Sequence, residues 1–290
     1  MKKMKRYIPC LLLLLACLMA GSCKKEIDID YPSTAPLPVI EGSVSNEGME
    51  VSITYTRDVT DSVKTKGVGG ALVVVTASDG TSETLAYDGV TGKYRSEAKG
   101  KPGLTYTLEV TLNGRHYKAV STMHEGFEVL DEGFMWWTVL DNRMVIYELL
   151  MSHGQEQPNY YCYRMFRNGK MYRWQASDSR GRINSMIPVT VMCMSEKMAE
   201  ENDEEDRESI LYEGDEIEMQ ILSIDRTTFD YLKSLAASGR TTANPYRNFE
   251  GDECLGYFSA HSIRRIHRTF SYKDMKDYSD TPNSLMNITD

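Results

Sequence analysis

The sequence predicts a mainly β protein: a β-sandwich followed by a larger β-barrel or β-sandwich domain with one short helix. Three observations carry this reading. Asp79-Gly80, Asn113-Gly114 and Asn168-Gly169 supply the positive φ angles of hairpin turns between runs of alternating residues. The runs themselves are rich in β-branched and aromatic side chains, which suit a pleated, half-buried surface. One segment is credible as a helix. Asp225 is placed as N-cap, Phe229, Leu232, Leu235 and Ala236 fall on one face, and Gly239 can end it.

Ahead of the strands lies a leader. Lys2, Lys3, Lys5 and Arg6 precede an apolar run from Tyr7 to Met19, and Ala20, Gly21 and Ser22 precede Cys23. A basic start, a short apolar core and small residues before a cut site make a secretory signal; a membrane-spanning helix needs a longer run. The cysteine after the small residues resembles a bacterial lipoprotein signal, which implies cleavage before Cys23 and acylation of its thiol and new amine. Several acyl chains hold far better than one, at about 0.8 kcal/mol for each buried methylene. The expected division is residues 1–22 as signal peptide, 23–36 as lipidated tether, 37–123 as the sandwich and 124–290 as the second β-rich domain. Acidic Glu26, Asp28 and Asp30 soon after Cys23 resemble the export signal of surface-exposed Bacteroidetes lipoproteins, and an ordinary polar tether reads the same way. The expected location is the outer membrane, lipid-anchored, on the cell surface.

Within residues 37–123, Val51, Ile53 and Tyr55 alternate with Ser52 and Thr54, a strand with one wet face. Ala71–Ala77, almost wholly apolar and β-branched, reads as a central strand, with Thr81–Tyr87 following as its hairpin partner. Tyr106, Leu108, Val110 and Leu112 share one face of a further hairpin. About seven strands in this length fit a small sandwich. Gly92-Lys93-Tyr94 followed by Pro102-Gly103-Leu104-Thr105-Tyr106 resembles the prealbumin-like or carboxypeptidase-regulatory-like sandwich modules of bacterial surface proteins, which implies an Ig-like or prealbumin-like sandwich serving as a structural or binding element. In the second region, Asn159–Arg167 and Lys170–Ala176 form the clearest hairpin, and Ile187–Met194 and Asp215–Ile224 are further strands.

Composition narrows the function. Taking four basic residues and no acidic one from a chain of net charge −9 leaves a mature charge of about −13. Such a body lacks the basic footprint that nucleic acid or anionic lipid demands. Once Cys10, Cys17 and Cys23 are set aside, Cys162, Cys193 and Cys254 remain, each among large apolar neighbours. They are expected as buried thiols, with one disulfide plus a free thiol as the alternative. Their spacing matches no metal pattern. Neither a cofactor nor a metal is expected. The chain has no Gly-x-Ser-x-Gly elbow, His-Glu-x-x-His, Walker loop or dinucleotide fingerprint, so a non-catalytic protein is the favoured reading. A hydrolase with a motif-free site is the rival.

The candidate ligand-binding residues are Trp136, Trp137 and Trp174. Neighbours on a strand face opposite ways, so one indole of Trp136-Trp137 can be core while the other stacks a sugar ring or peptide side chain. Burial of both between the two domains is the commoner outcome for such clusters. Glu196–Glu208 holds eight acids, closely clustered and without a glycine, which suits a solvated loop better than a calcium loop. His261, Arg264, Arg265, His267 and Arg268 form a basic strand, placed either at the surface or against the acidic loop or an anionic ligand. Asp61-Ser62-Val63 resembles a short O-glycosylation site.

Asn244-Pro245-Tyr246-Arg247-Asn248-Phe249, Gly251 and Leu255-Gly256-Tyr257-Phe258-Ser259-Ala260 form the most specific stretch. With the leader, Ile40-Glu41-Gly42 opening the first strand and the helix before Asn244, they resemble the DUF4249 family across nearly the whole chain. Gly251-Asp252-Glu253-Cys254 departs from that family's glycine-rich step. The resemblance implies an outer-membrane lipoprotein of Bacteroidetes encoded beside a TonB-dependent receptor, and supplies no catalytic residues. The expected partners are membrane lipid through acylated Cys23, such a receptor, and a small nutrient or a peptide or glycan ligand. A structural or adhesive surface protein is the alternative. On physical grounds alone, Asn-Pro starts a turn and Gly256 permits close backbone approach, so the stretch also reads as purely structural.

Overall fold

In the computed structural model, strands dominate the described residues, which are 35–277 apart from 58–65, 140–141, 153–158, 181–185, 197, 199–207 and 239–244. Contacts separate Met1–Ala35 from a body spanning Pro36–Asp290. The first eight strands are β1 (Pro38–Ser45), β2 (Gly48–Tyr55), β3 (Leu72–Ala77), β4 (Ser82–Thr84), β5 (Ala86–Asp88), β6 (Lys93–Ser96), β7 (Thr105–Leu112) and β8 (Arg115–Thr122). There follow β9 (Glu128–Val139), β10 (Asn142–Ser152), β11 (Tyr160–Arg167), β12 (Lys170–Asp178), β13 (Met186–Ser195), β14 (Ile210–Leu211) and β15 (Glu216–Ile224). Helix α1 (Arg226–Ser238) precedes β16 (Glu250–Gly251), β17 (Leu255–Thr269) and β18 (Lys276–Asp277).

These strands make three sheets. An eight-stranded sheet runs β12-β11-β15-β17-β1-β2-β6-β5, and two five-stranded sheets run β14-β13-β10-β9-β18 and β16-β8-β7-β3-β4. One core lies between β1, β2, β6, the start of β17 and the β3–β7–β8 sheet, and is built on Ile40, Val51, Val75, Leu108 and Phe258. A second lies between β11, β15 and the β9–β10–β13 sheet, around Tyr147, Leu149, Tyr161, Met219 and Phe270. Burying each such side chain contributes about 1.5–3 kcal/mol.

The long strand β17 joins the two. It pairs parallel with β1 from Leu255 to His261, then antiparallel with β15 from Ser262 to Thr269. Residues far along the chain, Phe249, Cys254, Phe258 and Ala260, therefore complete the first core. Gly256, opposite Ile40, makes the join sterically feasible. Its φ is +109°, and a Cβ there would overlap the Ile40 carbonyl.

The turns follow their residue chemistry. Asn113-Gly114 and Asn168-Gly169 have positive φ at both positions, as a two-residue hairpin requires. At Asp79-Gly80 only the glycine does. Ala77 closes on Thr81 around a three-residue loop, with Asp79 Oδ1 accepting from the Thr81 amide at 3.0 Å. One strand expectation needs correction. Thr81–Tyr87 is not one strand, because the chain changes sheet at buried Leu85 between β4 and β5. Strand β3, read as central, is paired on both sides, by β7 and β4. It lies one place from the sheet edge, and Leu72 is 55 % exposed.

Helix α1 lies on the outer face of the eight-stranded sheet. Thr228, Phe229, Tyr231 and Leu232 are buried, packing with Tyr160, Cys162, Leu222 and Ile224. Leu235 is 37 % exposed and Ala236 exposed, so the buried stripe stops a turn earlier than the spacing suggests. Asp225 caps the helix, its Oδ1 accepting from the Thr228 amide at 2.8 Å. Its Oδ2 accepts from the Ser121 hydroxyl at 2.6 Å, and Ser121 Oγ in turn accepts from the Ala260 amide at 2.7 Å. One buried carboxylate thus fastens the helix, β8 and β17 together. Gly239 lies outside the described residues.

Candidate functional site

Two concavities stand out in the body. The larger, about 480 Å³, opens on the outer face of the eight-stranded sheet, beside α1, where β17 passes from β1 to β15. Its walls come from β1, β2, β6, β11, β15 and β17. Strand alternation decides which residues face it: Phe258 and Ala260 point into the first core, so Tyr257, Ser259 and His261 point outward.

The lining is charged and mostly self-neutralised. Glu50 receives Lys93 Nζ at 2.5 Å and Arg95 Nη2 at 2.6 Å. Arg265 meets Glu47 at 2.8 Å and also Glu218. Arg164 stands apart. Among the described residues it has no carboxylate partner; its Nη2 donates to the Tyr257 hydroxyl at 3.1 Å, and it lies against the Cys162 thiol. Tyr231 of α1 stacks on Tyr257 with centroids 5.2 Å apart, so the helix fixes the ring that orients the guanidinium.

His261 lies beside them, 5 % exposed, with Nδ1 3.0 Å from Ser259 Oγ. Burial, and then the Arg164 charge, push its pKa down to about 3, so the ring is neutral at physiological pH. The Tyr257 phenol is pushed up, by burial first; Arg164 pulls it down and Glu41 pushes it up. Arg164 and Glu41 therefore act on one phenol from opposite signs. The site can bind and orient a polar molecule through charged and neutral hydrogen-bond donors.

The smaller concavity, about 310 Å³, lies along the seam between β12 and β13 and is lined by Tyr163, Met165, Trp174, Met192 and Met219. Side chains bridge that seam. Gln175 Nε2 donates to the Thr190 carbonyl at 3.3 Å, and the Tyr172 hydroxyl donates to the Ser209 carbonyl at 2.8 Å while accepting from the Met194 amide.

The three indoles are not brought together. Trp136 and Trp137 lie on β9, where Trp136 is half-buried against the second core and stacks on Tyr272 with centroids 6.1 Å apart. Trp137, also half-buried, takes the opposite face. Trp174, 39 % exposed on β12, lines the smaller concavity. It is also the cross-strand partner of Arg164, so the two share a sheet face.

Cys162, Cys193 and Cys254 are free and buried. Burial pushes the Cys193 and Cys254 thiols up to about 12 and about 11, which leaves them inert at neutral pH. Arg265 and Arg268 of the basic strand pair with Glu47, Glu218 and Glu132, and His261 of that strand is buried in the larger concavity. Cys23, Asp61-Ser62-Val63, His153 and most of the acidic run lie outside the described residues. No His/Cys/Asp/Glu cluster among the described residues fits a metal ion.

The Asn-Pro to Gly-Tyr-Phe stretch is built as structure. Arg247 donates to the carbonyls of Phe249, Gly251 and Asp252, and Asn248 Oδ1 accepts from the Phe258 amide at 2.7 Å. Only Tyr257 of that stretch reaches Arg164. The sequence reading missed Arg164, Tyr257 and Glu41. The signal for Arg164 was a single charge inside the apolar run Tyr160–Phe166.

Fold and site define a mainly β protein whose outer sheet face carries an ion-paired polar concavity beside a capped helix. The chain belongs to the DUF4249 family, a domain of unknown function, whose model matches residues 24–266. No curated protein matches the sequence.

Proposed function

We propose that this protein is a lipid-anchored outer-membrane lipoprotein, exposed at the cell surface, that captures a nutrient and hands it to a TonB-dependent receptor. Its chemistry is binding and release, without a covalent step. The observation that carries the reading is the leader: a basic start, an apolar core, three small residues and Cys23. The body supports it. An open concavity of about 480 Å³ is the size of a small-molecule site, and it is set on paired strands. Attachment is assigned to the acylated Cys23, whose several acyl chains hold the body at the membrane.

The test is recovery of the full lipidated protein from its native outer membrane in mild detergent, with mass spectrometry of what stays bound. A stoichiometric TonB-dependent receptor is the expected result. Reproducible recovery of the protein alone would move the assignment to a structural or adhesive role.

A further inference from the structure

We infer that the larger concavity takes a zwitterion of the free amino acid or short peptide class, with the ligand carboxylate on Arg164 and its ammonium group on Glu41. The inference names the ligand of the binding protein proposed above, and rests on that reading but not on its location or receptor.

Four basic side chains line this cavity, and three of them are neutralised by Glu50, Glu47 or Glu218. Arg164 is the fourth. A guanidinium withdrawn from water without a counter-ion costs several kcal/mol, and a carboxylate is the partner whose two oxygens match its fork. Its present partners, a phenol and a thiol, carry no charge at neutral pH and leave guanidinium N–H groups free to donate. His261 adds a neutral ring at the same wall, which does not compete for the anion.

Of the lining acids, Glu41 and Glu97 carry no ion pair among the described residues. Glu41 is the one that shares Tyr257 with Arg164: it is the Cα partner of Tyr257 across β1 and β17, and its charge acts on that phenol. One uncompensated positive group and one uncompensated negative group therefore flank a single ring, with no ion pair between them. A simple anion would satisfy Arg164 and be repelled by Glu41. A molecule carrying both charges satisfies each.

Isothermal titration calorimetry on the full chain in detergent tests this with trialanine, its C-terminal amide and its N-acetyl form. Trialanine is expected to bind. Amidation is expected to weaken binding at least about tenfold, and N-acetylation by about three- to tenfold. Arg164→Met should reproduce the amidation loss. Glu41→Gln should weaken trialanine but leave the N-acetyl form unchanged, since the partner of Glu41 is already gone. Should Arg164→Met fail to fold, the ligand-side changes and the exposed Glu41→Gln variant still decide. No heat with trialanine, or binding indifferent to both end groups, overturns the inference. A receptor retained in the pull-down would then leave the uptake role standing with a different ligand.

Discussion

At the scale of single residues, His261 makes a prediction about acid. Its imidazole titrates near 3 in the folded chain and near 6.5 when exposed. Between those values the unfolded chain binds a proton that the native chain does not, so stability is full above about pH 6.5 and falls as pH drops toward 3. The slope from this group is up to about 1.4 kcal/mol per pH unit. His261→Gln should flatten the decline between about pH 6.5 and pH 5, before carboxylates contribute, as read from urea midpoints. An unchanged slope in the variant would falsify the burial argument. His261 was visible in the sequence only as one member of a basic strand. Its burial is set where β17 passes from β1 to β15, strands far away in the chain.

Among the elements, α1 shows how far local patterning reaches. Asp225 was readable as an N-cap, because a short acceptor before an amphipathic stretch satisfies free amides. Its second bond, to Ser121 Oγ, was not readable, since that residue lies 104 positions away. Asp225→Ala should therefore cost more than a surface cap, about 2–3 kcal/mol, because it also strands a buried hydroxyl. Chemical denaturation measures this, and a loss below about 0.5 kcal/mol would show that the link to β8 and β17 contributes nothing. The helix stripe was misjudged by a turn for a related reason. Periodicity marks which residues are apolar, whereas tertiary packing covers Phe229 and Leu232 and leaves Leu235 and Ala236 exposed.

For the whole molecule, β17 carries the main consequence. One strand pairs with β1 in the first core and β15 in the second, so loss of either core disturbs the ladder of the other. The two are expected to unfold together. Trp136, Trp137 and Trp174 all report on the second core's sheets, while far-UV circular dichroism reports on every strand. Urea curves from fluorescence and circular dichroism should share one midpoint. Separate midpoints would mean that the bridging strand does not couple the cores.

The sequence by itself determined the mainly β class, two of the Asx-Gly hairpins with their positive φ angles, the helix cap and the close approach at Gly256. Each follows from interactions within a few residues, or from a residue type that only one backbone geometry tolerates. Tertiary structure alone decided that Thr81–Tyr87 splits between sheets, that the C-terminal half completes the first core, and that Arg164, Tyr257, His261 and Glu41 meet. Those four come from β1, β11 and β17, which become neighbours only through the pairing of β1 with β17 and of β17, β15 and β11. Local patterning places a residue on a face; which strands lie beside it is settled by pairing between distant segments, and so, therefore, is which charges are left without a partner.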